Sequence, residues 1–250
     1  MNTKINQKAF IKKDLSILFK NKTLYLFLFL IPVATIFLSS RVPDKIRDIF
    51  QDPSVYMLKH YSILFVLISS IFSLMFISAF GGMLFFNERL NRNFEVLLVA
   101  IPSISNIIFN KSISLIIVGI LHEIIVVVSL IFTAKMYLGI FVFPSVLSLL
   151  CVFVALNIFL FSYSIFFGSL FFMINDIRKL SSILTVFAVA GVYLYTAGLF
   201  PIALILKENI FLMLNIIIFL LLSIIMILLK NKFKVKLSNE KVVLSSSRSL

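Results

Sequence analysis

The sequence predicts an all-α polytopic membrane protein with six transmembrane helices, both termini cytoplasmic, and an amphipathic interfacial helix ahead of the first span. Three observations lead there. The chain of 250 residues is 61% hydrophobic, with a mean hydropathy of +1.14. Its apolar residues run in continuous blocks, and a helix needs only about 20 such residues to cross the hydrocarbon core. The blocks do not alternate apolar with polar, as the strands of a membrane barrel would.

Taken in order, residues 4–22 are basic and weakly amphipathic. Phe10, Ile11, Leu15, Ile17 and Leu18 fall on one side of a helical wheel, with Lys12, Lys13, Ser16 and Lys20 on the other. Asp14 intrudes on the apolar side. This pattern predicts a helix lying on the membrane surface; a solvated basic tail is the plainer reading. Leu24–Ser40 is the first span, an anchor rather than the short core of a cleaved signal. Residues 41–60 carry mixed charge with Pro43 and Pro53, and form the largest outer loop. The second and third spans are residues 61–86 and 112–134.

Met136–Asn175 is uncharged for 40 residues. As one helix it would reach roughly 60 Å, twice the thickness of the core. Pro144 predicts a break near its start, leaving one span over 145–174. The fifth span is 180–200, after which Gly198 and Pro201 either set off a short re-entrant helix at 202–206 or the fifth span is long and tilted. The sixth is 209–229. Residues 1–236 thus form one transmembrane domain, and 237–250, with no apolar periodicity, a disordered tail.

Charge distribution supports six spans. With both termini inside, 17 of the 23 Lys and Arg residues fall on the cytoplasmic side. A seventh span would move the basic C-terminal tail outside, against the positive-inside rule. The formal net charge of +13 is therefore read as orientation and contact with anionic lipid headgroups, not as a nucleic-acid surface.

Little in the chain suggests catalysis. Cys151 is the one cysteine, and the two histidines are His60 and His122. His122-Glu123 starts like a zinc-peptidase motif, but position 126 is Val, where the second histidine would stand. There is no G-x-x-x-x-G-K-S/T phosphate-binding loop, so ATP-driven work would need a separate ATPase. No metal or cofactor is expected on this chain, and it is expected not to be an enzyme.

Glu123 is the one carboxylate inside a predicted span. Such a group costs several kcal/mol unless it is protonated, paired or facing water. Either it lines a translocation path or subunit interface, or it bonds a Ser, Asn or Tyr of a neighbouring helix and fixes packing. His122 lies about 100° around the helix from it.

The charged interruption after the second span carries the functional reading. Glu88, Arg89, Arg92 and Glu95 sit within residues 87–101; on a helix, Glu88 and Arg92 are i,i+4 partners with the acid on the favourable side. Pro102 ends that helix, Ser103 and Ser105 start the next, and Asn110-Lys111 mark re-entry into the membrane. A short surface helix joined to two spans is a lever that a soluble partner can move.

This segment resembles the second cytoplasmic segment of the ABC-2 family of ABC-transporter permeases. The family pattern has two glutamates seven positions apart, then leucine, a proline-serine turn and a Gly-Lys before the third span. Glu88 and Glu95 keep that interval, Leu97 and Leu98 follow, Pro102-Ser103 supply the turn and Lys111 the lysine. Arg92-Asn93 replace the usual Gly-Thr, and Asn110 replaces the glycine. The resemblance extends to the whole six-span layout. It implies that residues 87–101 are a coupling helix docking on a separate ABC ATP-binding subunit, which would carry ATP and Mg. It also implies a permease homodimer or heterodimer in the cytoplasmic membrane, exporting a lipophilic or amphipathic cargo such as a drug, a peptide or a lipid-linked molecule. The rival expectations are an ion-coupled secondary transporter and a non-transporting immunity or scaffold protein.

Overall fold

The computed structural model describes residues 7–30, 33, 53–90, 103–173 and 206–234. Among the described residues all regular structure is helical. We label the helices α1 (Gln7–Lys20), α2 (residues 22–30), α3 (Pro53–Leu90), α4 (Ile104–Leu138), α5 (Val146–Leu150), α6 (Asn157–Met173) and α7 (Glu208–Lys234). A π-helical stretch, Cys151–Leu156, joins α5 to α6.

Four stretches are long and apolar enough to cross a membrane: Tyr61–Phe85, Ile104–Met136, Val146–Phe172 and Glu208–Lys232. They coincide with the predicted second, third, fourth and sixth spans, and the protein is membrane-embedded. Of the predicted first span, residues 24–30 and 33 are described, and they are helical. The predicted fifth span, the 202–205 part of the re-entrant segment and the 237–250 tail lie outside the described residues.

Helix boundaries differ from the expectation in two places. The loop predicted over 41–60 ends early, because α3 already begins at Pro53. Proline suits the first position of a helix, where its missing N–H has no partner to lose. At its other end α3 runs unbroken to Leu90, so residues 87–90 continue the second span instead of opening a new helix. In α4 the helix starts directly after Ser103, as predicted, and Asn110 and Lys111, expected to mark re-entry into the membrane, fall past that start. They lie inside the helix and are almost fully buried.

The long uncharged run breaks once, giving one span as predicted. Gly139 ends α4 in the left-handed conformation (φ 72°), its N–H bonded to Lys135 O at 3.1 Å. A residue without Cβ takes this conformation at no steric cost. Pro144 lies in the short non-helical connection that follows, and Ser145 caps α5, accepting the Ser148 N–H at 3.3 Å.

Side-chain contacts fix the directions of the helices. Ser62, at the start of the membrane-spanning part of α3, accepts the N–H of Ser145 at the start of α5 (3.2 Å). Midway, the hydroxyls of Ser78 and Tyr163 bond at 3.2 Å. Near the far end Phe85 packs against Phe167, Phe171 and Phe172. Hence α3 and α6 run parallel, and α4 packs antiparallel against both. The tightest approach is at Gly168, where a Cβ would stand 2.7 Å from Phe85 Cζ and 3.0 Å from Ile108 Cγ2. This end is also where α1 packs, through buried Leu18 and through Asn21, whose amide meets the Met83 sulfur.

Burial follows this arrangement. The Tyr61–Phe85 span is 61% buried, and Glu208–Lys232 only 22%. Among the described residues α3 is thus a central helix, and α7 turns Ile210, Ile217, Leu221, Ile224 and Leu228 outward. Those side chains suit lipid, which costs an apolar surface nothing.

Candidate functional site

The polar groups of the bundle form a ladder across the faces that α3, α4 and α6 share. Its rungs are Ser62–Ser145, Ser78–Tyr163 and Ser164–Ser112, the last a 3.0 Å bond donated by Ser164. The central rung is Glu123. Its Oε1 accepts from Ser73 Oγ of α3 at 3.3 Å, and its Oε2 from Asn157 Nδ2 of α6 at 2.7 Å. One carboxylate on α4 therefore ties together three helices. Both partners are neutral donors, and Glu123 has no exposed surface.

Asn157 stands where α6 begins, right after the π-helical stretch. Besides Glu123, its amide nitrogen faces Val152 O (3.2 Å) and Phe153 O (3.3 Å). The π-helical stretch departs from the regular α ladder, which leaves carbonyls in want of donors. With one amide hydrogen given to Glu123, Asn157 has one left, which faces these two carbonyls. Glu123 and the irregular backbone of the fourth span are thus joined through one side chain.

His122 faces elsewhere. Its ring lies among Phe76 (centroids 5.3 Å apart), Phe27 (5.8 Å) and Phe72 (6.3 Å), with no exposed surface. Among the described residues neither ring nitrogen has a hydrogen-bond partner. As the helical offset predicts, His122 and Glu123 serve different faces of α4: one an aromatic cage, the other the polar ladder. Phe27 brings α2 into that cage and also packs on Phe80.

A second buried carboxylate lies at the α1 end. Asp14, which intrudes on the apolar side of α1, bonds Lys111 of α4 at 3.2 Å, and both side chains are almost wholly buried. This explains why Asn110 and Lys111 sit within an unbroken helix: α1 covers them, and Asp14 matches the lysine charge.

For the coupling residues, the structure places Glu88 and Arg89 in the last turn of α3, while Arg92 and Glu95 lie outside the described residues. The flanking helix ends, Leu90 and Ile104, belong to the end of the bundle where α1 packs. Sequence reasoning named Glu123 and noticed Asp14, but did not identify Ser73 and Asn157 as partners or pair Asp14 with Lys111. The available signal was modest: Asn157 is an amide inside a run of apolar residues. Among the described residues no three His, Cys, Asp or Glu side chains gather as a metal site. Compared with protein-family models, curated proteins and solved structures, the chain matches none of them.

Proposed function

We propose that this chain is the membrane subunit of an ATP-driven exporter of the ABC-2 permease kind, working with a separate ATP-binding subunit and a second permease copy in the cytoplasmic membrane. The observation that carries this reading is the charged segment 87–101. It is spaced like a coupling helix and connects two membrane helices, α3 and α4, that both contact α1.

In this reading the partner ATPase grips Glu88, Arg89, Arg92 and Glu95. Closure of the ATPases displaces the ends of α3 and α4 together. Because Glu123 links α4 to α3 and, through Asn157, to the π-helical stretch, movement of α4 reaches the centre of the bundle. The permease supplies no reacting group; it supplies two packings that the ATPase biases. The apolar spans favour a lipophilic or amphipathic cargo.

Purification in mild detergent tests the reading. A P-loop ATPase is expected to accompany the chain in comparable amount, and charge reversal by Glu88→Lys or Glu95→Lys to weaken that association. Wild-type retention in both variants would remove the coupling assignment. A second reading, an ion-coupled secondary transporter, is favoured by one observation: Glu123 is a mid-span carboxylate with neutral partners only among the described residues. It predicts cargo movement driven by an ion gradient in vesicles without ATP, abolished by Glu123→Gln.

A further inference from the structure

The arrangement of α1 separates its charges by face. Lys8, Lys12, Ser16 and Lys20 follow one another at four-residue steps, forming a stripe about 18 Å long on one side. All four are exposed. The one acid of the helix, Asp14, lies on the opposite side and is buried against Lys111. Its charge is spent inside the bundle and cancels nothing outside. Beyond Asn21, the exposed Lys22 prolongs the stripe at the start of α2.

The setting of the stripe selects its occupant. One residue, Asn21, separates α1 from α2, whose outward side chains Tyr25, Leu26 and Phe29 are apolar and exposed, while Phe27 packs on α3. With α2 read as the start of the predicted first span, the lysines fall where an apolar helix leaves the hydrocarbon, level with the headgroups. Phe19, half-exposed beside Lys20, adds an apolar contact at that level. Lysine suits this place because its stem lies along apolar surface while the ammonium reaches the phosphate layer.

We propose that the Lys8–Lys12–Lys20–Lys22 face of α1 is a binding surface for anionic phospholipid headgroups, which it prefers over zwitterionic ones. The surface exists because the Asp14–Lys111 pair turns the only acid of α1 inward. The proposal stands independently of the transport reading, since it requires neither an ATPase nor a cargo.

Quenching by brominated lipid tests it on the full-length protein. A bimane is placed at Ser16→Cys; the native Cys151 is fully buried and leaves little background. The protein is reconstituted into bilayers containing either brominated phosphatidylglycerol or brominated phosphatidylcholine. Phosphatidylglycerol is expected to quench more strongly, with a preference that falls by about 5-fold for each lysine neutralised, the equivalent of ~1 kcal/mol per cation. Lys8→Gln/Lys12→Gln/Lys20→Gln should leave no more than the roughly 5-fold preference that Lys22 supplies, and raised salt should weaken it. Lys135→Gln, on a lysine at the opposite end of α4, should leave it unchanged. Equal quenching by the two lipids overturns the proposal, as does a preference that the triple substitution leaves undiminished. So does loss of a copurifying protein in the triple variant with lipid preference intact, which would make the stripe a protein-docking face.

Discussion

Asp14 and Glu123 are both buried carboxylates, and they are stabilised in different ways. Asp14 meets an ammonium group, Lys111, at the end of the bundle where α1 lies. Glu123, halfway along α4, meets an amide and a hydroxyl. The difference follows from position. Near a membrane surface a lysine can fold inward while its helix still ends among headgroups. At mid-span a second charge would add its own desolvation cost, and neutral donors from facing helices are the cheaper partners. A charge pair confers a fixed docking position with a severe penalty for separating it. A neutral node confers orientation between helices with a small penalty.

The comparison can be broken most forcefully at Lys111. Lys111→Met removes the ammonium 3.2 Å from the buried Asp14 carboxylate, and unfolding in detergent should show a loss of about 3–5 kcal/mol. The double variant Asp14→Asn/Lys111→Met should recover most of that loss. At the neutral node the expected effects are smaller. Asn157→Leu removes the donor shared by Glu123, Val152 and Phe153, and should cost about 1–2 kcal/mol, since interhelical hydrogen bonds in membranes contribute roughly 0.6 kcal/mol each and at most about 1.7. Glu123→Gln keeps a side chain that can accept from Ser73 and should change stability by less than about 1 kcal/mol; a loss comparable to that of Lys111→Met would show that Glu123 carries a charge pair after all. Smallest is His122→Phe, which replaces two nitrogens without partners among the described residues by a phenyl ring amid Phe27, Phe72 and Phe76. Stability should be unchanged or higher by up to about 1 kcal/mol, because an unsatisfied buried polar group is removed. A marked loss would reveal a partner for the imidazole.

Much of the helical layout was legible from hydropathy because lipid imposes one rule on every span. The break before Ser145 and the helix start at Ser103 were also legible, through proline and serine, whose preferences are local. The extension of α3 back to Pro53 and forward to Leu90 was not: polar residues flanking a span tell where lipid stops, not where helix stops. Nor was the π-helical stretch at Cys151–Leu156, since its sequence, CVFVAL, is as apolar as its neighbours. The amphipathic face of α1 could be read from the wheel, including the misplaced Asp14. Its partner could not, because 97 residues separate Asp14 from Lys111 and no periodicity spans that interval. Likewise Glu123 announced itself as a charge in a span, whereas Ser73 and Asn157 were two small polar residues among many.

In the proposed reading, force enters this chain through residues 87–101 from the cytoplasmic side. A single cysteine at Arg92, added to a chain whose native Cys151 is buried, measures this directly with a membrane-impermeant maleimide. The account predicts that Arg92→Cys resists labelling in intact cells and reacts in inside-out vesicles, with protection restored when a P-loop ATPase is bound. Labelling from outside intact cells would contradict it.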